Sequence, residues 1–206
     1  MARRRLLTGD ERQRLFDPPV EEIAIIGHYT LSAEDVELVG RRYGPANRLG
    51  LAAQIALMRH PGFGLQPEIG LPDVILQYLA AQLFVDPSSF SAYGQRAQTR
   101  TDHADLVARY LGIRPFRRGD LALALNLAAQ AAEYTDRGEP IVRALMVGLK
   151  GERFILPSGD TLARAGLAGR ARARKAAAAA IVEGLSSAEL TRLDELVINN
   201  PDFGMT

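Results

Sequence analysis

The side chains best placed to do chemistry in this sequence are arginines, gathered in stretches without a single acid. Residues 41–59 ("RRYGPANRLGLAAQIALMR"), 106–118 and 164–175 all contain arginine or lysine and no Asp or Glu. A formal net charge of +1 therefore hides strong local positive fields, which matter more to a charged partner than the total. The 25 basic residues include only two lysines, Lys150 and Lys175. Guanidinium forks suit phosphate oxygens and guanine edges, although GC-rich coding DNA yields the same arginine bias.

Other chemistries lack their spacing. There is no GxxxxGK phosphate loop, no HExxH and no GxSxG, and in "GFGLQP" proline falls where the last glycine of a dinucleotide turn belongs. With no cysteine and three histidines, a disulfide framework and a structural zinc site are excluded, and no cofactor or metal is expected. Asp102 and Asp105 open a helix, where the helix dipole already accounts for acids. His28 and His60 read as helix-end residues, and His103 as a solvated residue of a first turn. No stretch reaches the length of a membrane span, and "MARRRLLTGDERQR" is not a secretory leader. The expectation is a cytoplasmic, nucleoid-associated protein without membrane or small-molecule partners.

The elements that must hold the arginines read as helices. Thr8 with Glu11, Ser32 with Asp35, and Ser186 with Glu189 have capping-box spacing, and Pro45, Pro72 and Pro140 sit where a first helical residue would. Helices are predicted near 9–16, 19–28, 33–42, 46–59, 72–85, 100–111, 119–135, 140–150, 160–183 and 187–198. In "LALALNLAAQAA" the leucines alternate as in a strand, but the alanine content and the length favour a buried helix. Only "RFILPS" looks extended. The fold class is all-α: a multi-helix bundle with helix-turn-helix-like units, in one core or two small lobes. The turn cluster "TDRGEP" suggests a first DNA-binding module over 1–136 and a second, incomplete one over 137–206.

Residues 33–42 and 46–59, joined by "YGP", have the spacing of a helix-turn-helix whose second helix presents Ala46, Asn47 and Arg48. At ~100° per residue, Leu49, Ala53, Ala56 and Leu57 form one apolar stripe and Leu51, Ile55 and Met58 a second. The middle of that helix therefore packs, while its ends, Arg48 and Arg59, with Arg41 and Arg42 before it, are candidates for phosphate. Further candidates are Arg96 and Arg100 in "SAYGQRAQTR", Arg114, Arg117 and Arg118 in "GIRPFRRGD", and Arg164, Arg170, Arg172, Arg174 and Lys175 on one later helix. By rotation these last spread over about 200°, as on a solvated face.

In order along the chain, "HYTLS", "ANRLG" with the downstream "RHPG", "TRTDHADLVARYLGIRPF", and "GERFILPS" followed by a basic helix resemble the N-terminal region of Tn-three-family replicative transposases. The resemblance covers almost the whole chain. It implies helical DNA-binding modules that hold the terminal inverted repeats of a transposon, with double-stranded transposon-end DNA as partner and full-length transposase or a second copy as others. The family's catalytic acidic triad lies in a distant RNase H-like domain, so the resemblance implies DNA recognition without strand cleavage. The site residues rest on charge and helix position, since the resemblance supplies no base contacts. The rival reading is a helical protein-interaction module contacting other transposase domains or subunits.

Overall fold

The computed structural model describes residues 6–65, 71–95 and 97–198. Helices dominate: α1 (Gly9–Phe16), α2 (Glu22–Tyr29), α3 (Ala33–Gly40), α4 (Pro45–Arg59), α5 (Asp73–Leu83), α6 (Ala97–Leu111), α7 (Leu121–Ala132), α8 (Gly138–Gly151), α9 (Gly159–Glu183) and α10 (Ser187–Ile198). The fold is all-α, as expected. Local chemistry starts several of these helices. Reciprocal capping boxes at Thr8/Glu11 and Ser32/Asp35 satisfy free amides of the first turns of α1 and α3, and Ser186 and Glu189 do the same for α10. Pro72 and Pro140 stand close to the first turns of α5 and α8, but helix α5 begins after Pro72 and α8 begins before Pro140.

Helix α4 is the axis of one half of the molecule. Every residue from Leu49 to Met58 is buried. Its first stripe, Leu49, Ala53, Ala56 and Leu57, packs with Ile25 and Tyr29 of α2 and Ile75 and Leu79 of α5. The second stripe, Leu51, Ala52, Ile55 and Met58, packs with Val39 of α3 and Val107 of α6. Gly50 is required by close approach, because a Cβ there would lie 2.1 Å from the ring of Tyr93.

A separate apolar cluster joins Leu6, Leu7 and Leu15 to α7 (Ala124, Ala128), α8 (Ile141, Leu145, Leu149) and the start of α9 (Leu162, Ala165). The boundary expected after residue 136 therefore does not follow the packing, since α7 and α8 share this core. The turn chemistry of "TDRGEP" marks a tight helical connection within one cluster, not a linker. Alanine, whose small side chain permits close helix contact, lines α7 on its buried side, and the alternating leucines fall within a helix.

The two halves meet at a small seam. Strand β1 (Arg114–Pro115) pairs in parallel with β2 (Phe154–Ile155), and Phe63 forms an isolated bridge with Leu156. The expected extended segment at "RFILPS" is β2; its partner was not foreseen. Beyond Gly169 no described residue of α9 or α10 is buried.

Candidate nucleic-acid interface

Arginine availability depends on what each guanidinium already holds. Arg59, in the last turn of α4, is spent on the core. Its Nη2 donates to Asp35 Oδ1 at 2.7 Å and its Nη1 to Oδ2, while Tyr110 Oη donates to the same carboxylate at 2.8 Å. Asp35 is fully buried. Burial pushes its pKa upward, but hydrogen bonds from Arg59, the Ser32 amide and Tyr110 outweigh that and hold it below the ordinary carboxylate value. Arg59 is thus a structural ion-pair partner tying α3, α4 and α6 together, which corrects its expected role as a phosphate ligand.

The other end of α4 is different. Gly44 turns the chain at φ 81°, a left-handed conformation that glycine adopts without strain. Asn47 Nδ2 donates to the Tyr43 carbonyl at 3.0 Å, and Arg48 Nε to the Arg42 carbonyl at 3.0 Å. Asn47 and Arg48, the side chains presented at the start of the second helix, thus close the turn that precedes it, although Arg48 remains exposed with only Nε engaged among the described residues. Arg41 pairs with Glu37 at 2.5 Å on the surface. Arg42 is half-buried, and its Nε is buried without a hydrogen-bond partner among the described residues. Tyr43, at the tip, is 96% exposed.

Arg100 is also committed. Its Nη1 donates to the Gly94 carbonyl at 2.5 Å, and its own carbonyl accepts from Gln54 Nε2 at 3.0 Å. Gln54 also donates to Tyr93 Oη at 2.9 Å, which lies 3.1 Å from His103 Nδ1. This buried chain of polar groups overturns the reading of His103 as solvated. Burial, and secondarily the charge of Arg42, lower its pKa. Arg96 lies outside the described residues. His28 and His60 stack with ring centroids 3.7 Å apart. Burial, then His28 and Lys150, lower the His60 pKa from its ordinary 6.5 to about 4.

The connection from α6 to α7 presents the freest charge. Arg114 lies 3.7 Å above the Phe154 ring and 3.1 Å from Asp120. Arg117 and Arg118 are exposed, and neither guanidinium meets a carboxylate among the described residues. The strand pairing adds one exposed cation, Arg153, whose carbonyl accepts from the Arg114 amide at 2.8 Å, and Arg109 is exposed in the last turn of α6. Arg153 was missed because its neighbourhood depends on a pairing across some forty residues, for which the sequence carries no local signal.

On α9 most cations brace the fold. Arg174 forks onto Asp136, with Nε to Oδ1 at 2.7 Å, and Arg170 Nη1 donates to the Asp136 carbonyl at 3.2 Å. Arg172 reaches Asn126 at 2.8 Å, and Arg164 Nε bonds the Asp160 carbonyl at 3.3 Å. Lys175 is exposed. The structure therefore sets Arg114 and Arg153 at the strand seam, with Arg109, Arg117 and Arg118 exposed on the flanking chain, leaves Arg41 and Arg48 at the α3–α4 turn, assigns Arg59 and Arg100 to internal contacts, and engages Arg170 and Arg174 with Asp136 at the surface. No group of His, Asp and Glu that could hold a metal occurs among the described residues. Nor is any described helix long and apolar enough to cross a membrane.

An all-α module with exposed cations at two of its turns is the class defined by this geometry. Residues 6–168 match the family described as a domain of unknown function, DUF4158, and the chain belongs to it. That match ends just before Gly169, the last buried residue of α9. The chain is 34% identical over 197 residues to the transposase for transposon Tn501 of Pseudomonas aeruginosa, covering 96% of this chain and 20% of that protein. It is 35% identical over 207 residues to the transposase for transposon Tn21 of Escherichia coli, covering 100% of this chain and 21% of that protein. The transposase for transposon Tn1546 of Enterococcus faecium is 28% identical over 194 residues, covering 94% and 20%. The chain thus spans about a fifth of the length of these relatives and is homologous to the N-terminal region of Tn-three-family transposases.

Proposed function

We propose that this chain binds the terminal inverted repeats of a transposon, as the N-terminal part of a transposase in replicative DNA transposition. The observation that carries the reading is the exposed α6–α7 connection, where Arg117 and Arg118 stand without carboxylate partners among the described residues, beside Arg109, Arg114 and Arg153. Guanidinium groups so presented can displace counterions from a phosphate backbone, a term that supplies much of the affinity and little of the specificity. Full burial of α4 from Leu49 to Met58 argues against that helix lying along a major groove; only its first turn and the preceding tip are open to a duplex. Metal-dependent strand cleavage would belong to other parts of a full-length transposase.

A mobility-shift titration against the terminal-repeat duplex and a scrambled duplex tests the reading. Contacts to roughly six to ten phosphates would weaken binding by about a thousandfold or more between 50 and 200 mM salt. A salt-insensitive affinity, or equal affinity for both duplexes, contradicts it. The rival reading, a protein-interaction module, draws on exposed apolar side chains: Val20 just before α2, Ile23 and Ile26 on α2, and Val74 on α5.

A further inference from the structure

We infer that Tyr43 is a base-contacting side chain, an aromatic wedge that stacks on a nucleobase of the bound DNA while the surrounding arginines hold phosphate. The inference rests on the DNA-binding reading above and deepens it.

Three exposed aromatic side chains stand out among the described residues: Tyr43 and Phe84, each 96% exposed, and Tyr134, 89% exposed. Phe84 is followed two residues later by Asp86, and Tyr134 lies between Glu133 and Asp136. Those acids oppose a polyanion. Tyr43 alone lies in an acid-free basic stretch, between Arg41 and Arg42 on one side and Arg48 on the other. The ion pair of Arg41 with Glu37 is a surface pair, with side chains 64% and 69% exposed, and so exchanges readily for a phosphate.

The tip is also held in one shape. The Arg42 and Tyr43 carbonyls are both taken by side chains of the first turn of α4, and α4 itself is fixed by two apolar stripes. An aromatic ring on such a rigid support can insert at a base step of the duplex, where partial unstacking opens a base face to it.

The chain contains no tryptophan, so Tyr43→Trp places a single fluorescent indole at the tip. Titration of that variant with the terminal-repeat duplex should quench its emission saturably, and a scrambled duplex at the same concentration should quench it far less. Tyr43→Ala should weaken binding to the terminal repeat about tenfold or more while leaving the slope of log affinity against log salt unchanged, because stacking releases no counterions. Tyr43→Phe should bind as the parent does. The exposure of the side chain makes an unchanged melting temperature the expected control. Wild-type affinity in Tyr43→Ala, or an unquenched indole in a complex formed at normal affinity, overturns the wedge and leaves DNA binding standing. Failure of the parent chain to prefer the terminal repeat overturns both.

Discussion

The two ends of helix α4 carry arginines that look equivalent in the sequence and are not equivalent in the fold. At the C-terminal end, Arg59 forks onto the fully buried Asp35 beneath Tyr110. At the N-terminal end, Arg48 spends one nitrogen on a backbone carbonyl and stays exposed beside Tyr43. The difference shows that an arginine's use is decided by whether its helix end enters the core or leaves it. A charge count over residues 41–59 cannot distinguish the two.

The largest expected effect breaks the comparison at its buried end. Arg59→Ala leaves the Asp35 carboxylate uncompensated and should cost about 3–5 kcal/mol of stability by urea denaturation. Arg48→Ala, by contrast, should stay within about 0.5 kcal/mol as a surface change. Equal costs would erase the distinction. Leu57→Ala, on the stripe facing α2 and α5, should cost about 2–5 kcal/mol and leave DNA affinity per folded molecule unchanged.

A smaller effect concerns pH at the same end of the helix. His60 has its folded pKa depressed from 6.5 to about 4, so the unfolded chain binds more protons between those values. Stability contributed by the neutral ring is therefore complete above about pH 6.5 and is lost as pH falls toward 4. His103 is shifted in the same direction and adds to the decline, and the depressed Asp35 extends it below the ordinary 3.8. Melting temperature measured from pH 7.5 to 4 should fall, and His60→Asn should flatten part of that fall. A flat profile for the parent chain would contradict the burial of the His60 and His103 rings.

Much of the scaffold was legible because its signals are local. Capping boxes act over three residues, and the two stripes of α4 follow from helical rotation, so both could be read before any packing was known. Asp35 shows where such reading stops. Its cap to Ser32 was visible, but the same carboxylate also receives Arg59, 24 residues away, and Tyr110, 75 residues away. The site was less legible for the same reason. Arg100, Arg170 and Arg174 find partners through tertiary packing, while Arg153 joins the candidate surface only through the β1–β2 pairing. Tyr43 stands among the arginines in the sequence, but its exposure shows only once α4 is placed, with Leu49 to Met58 buried and the preceding tip open.

The most direct test of the account is the salt dependence of binding to the terminal-repeat duplex for the parent chain and for Arg117→Ala/Arg118→Ala. Loss of two phosphate contacts should lower the slope of log affinity against log salt by about 0.9 for each contact, with folding stability unchanged. A slope identical to that of the parent chain would contradict the claim that the α6–α7 connection holds the DNA backbone.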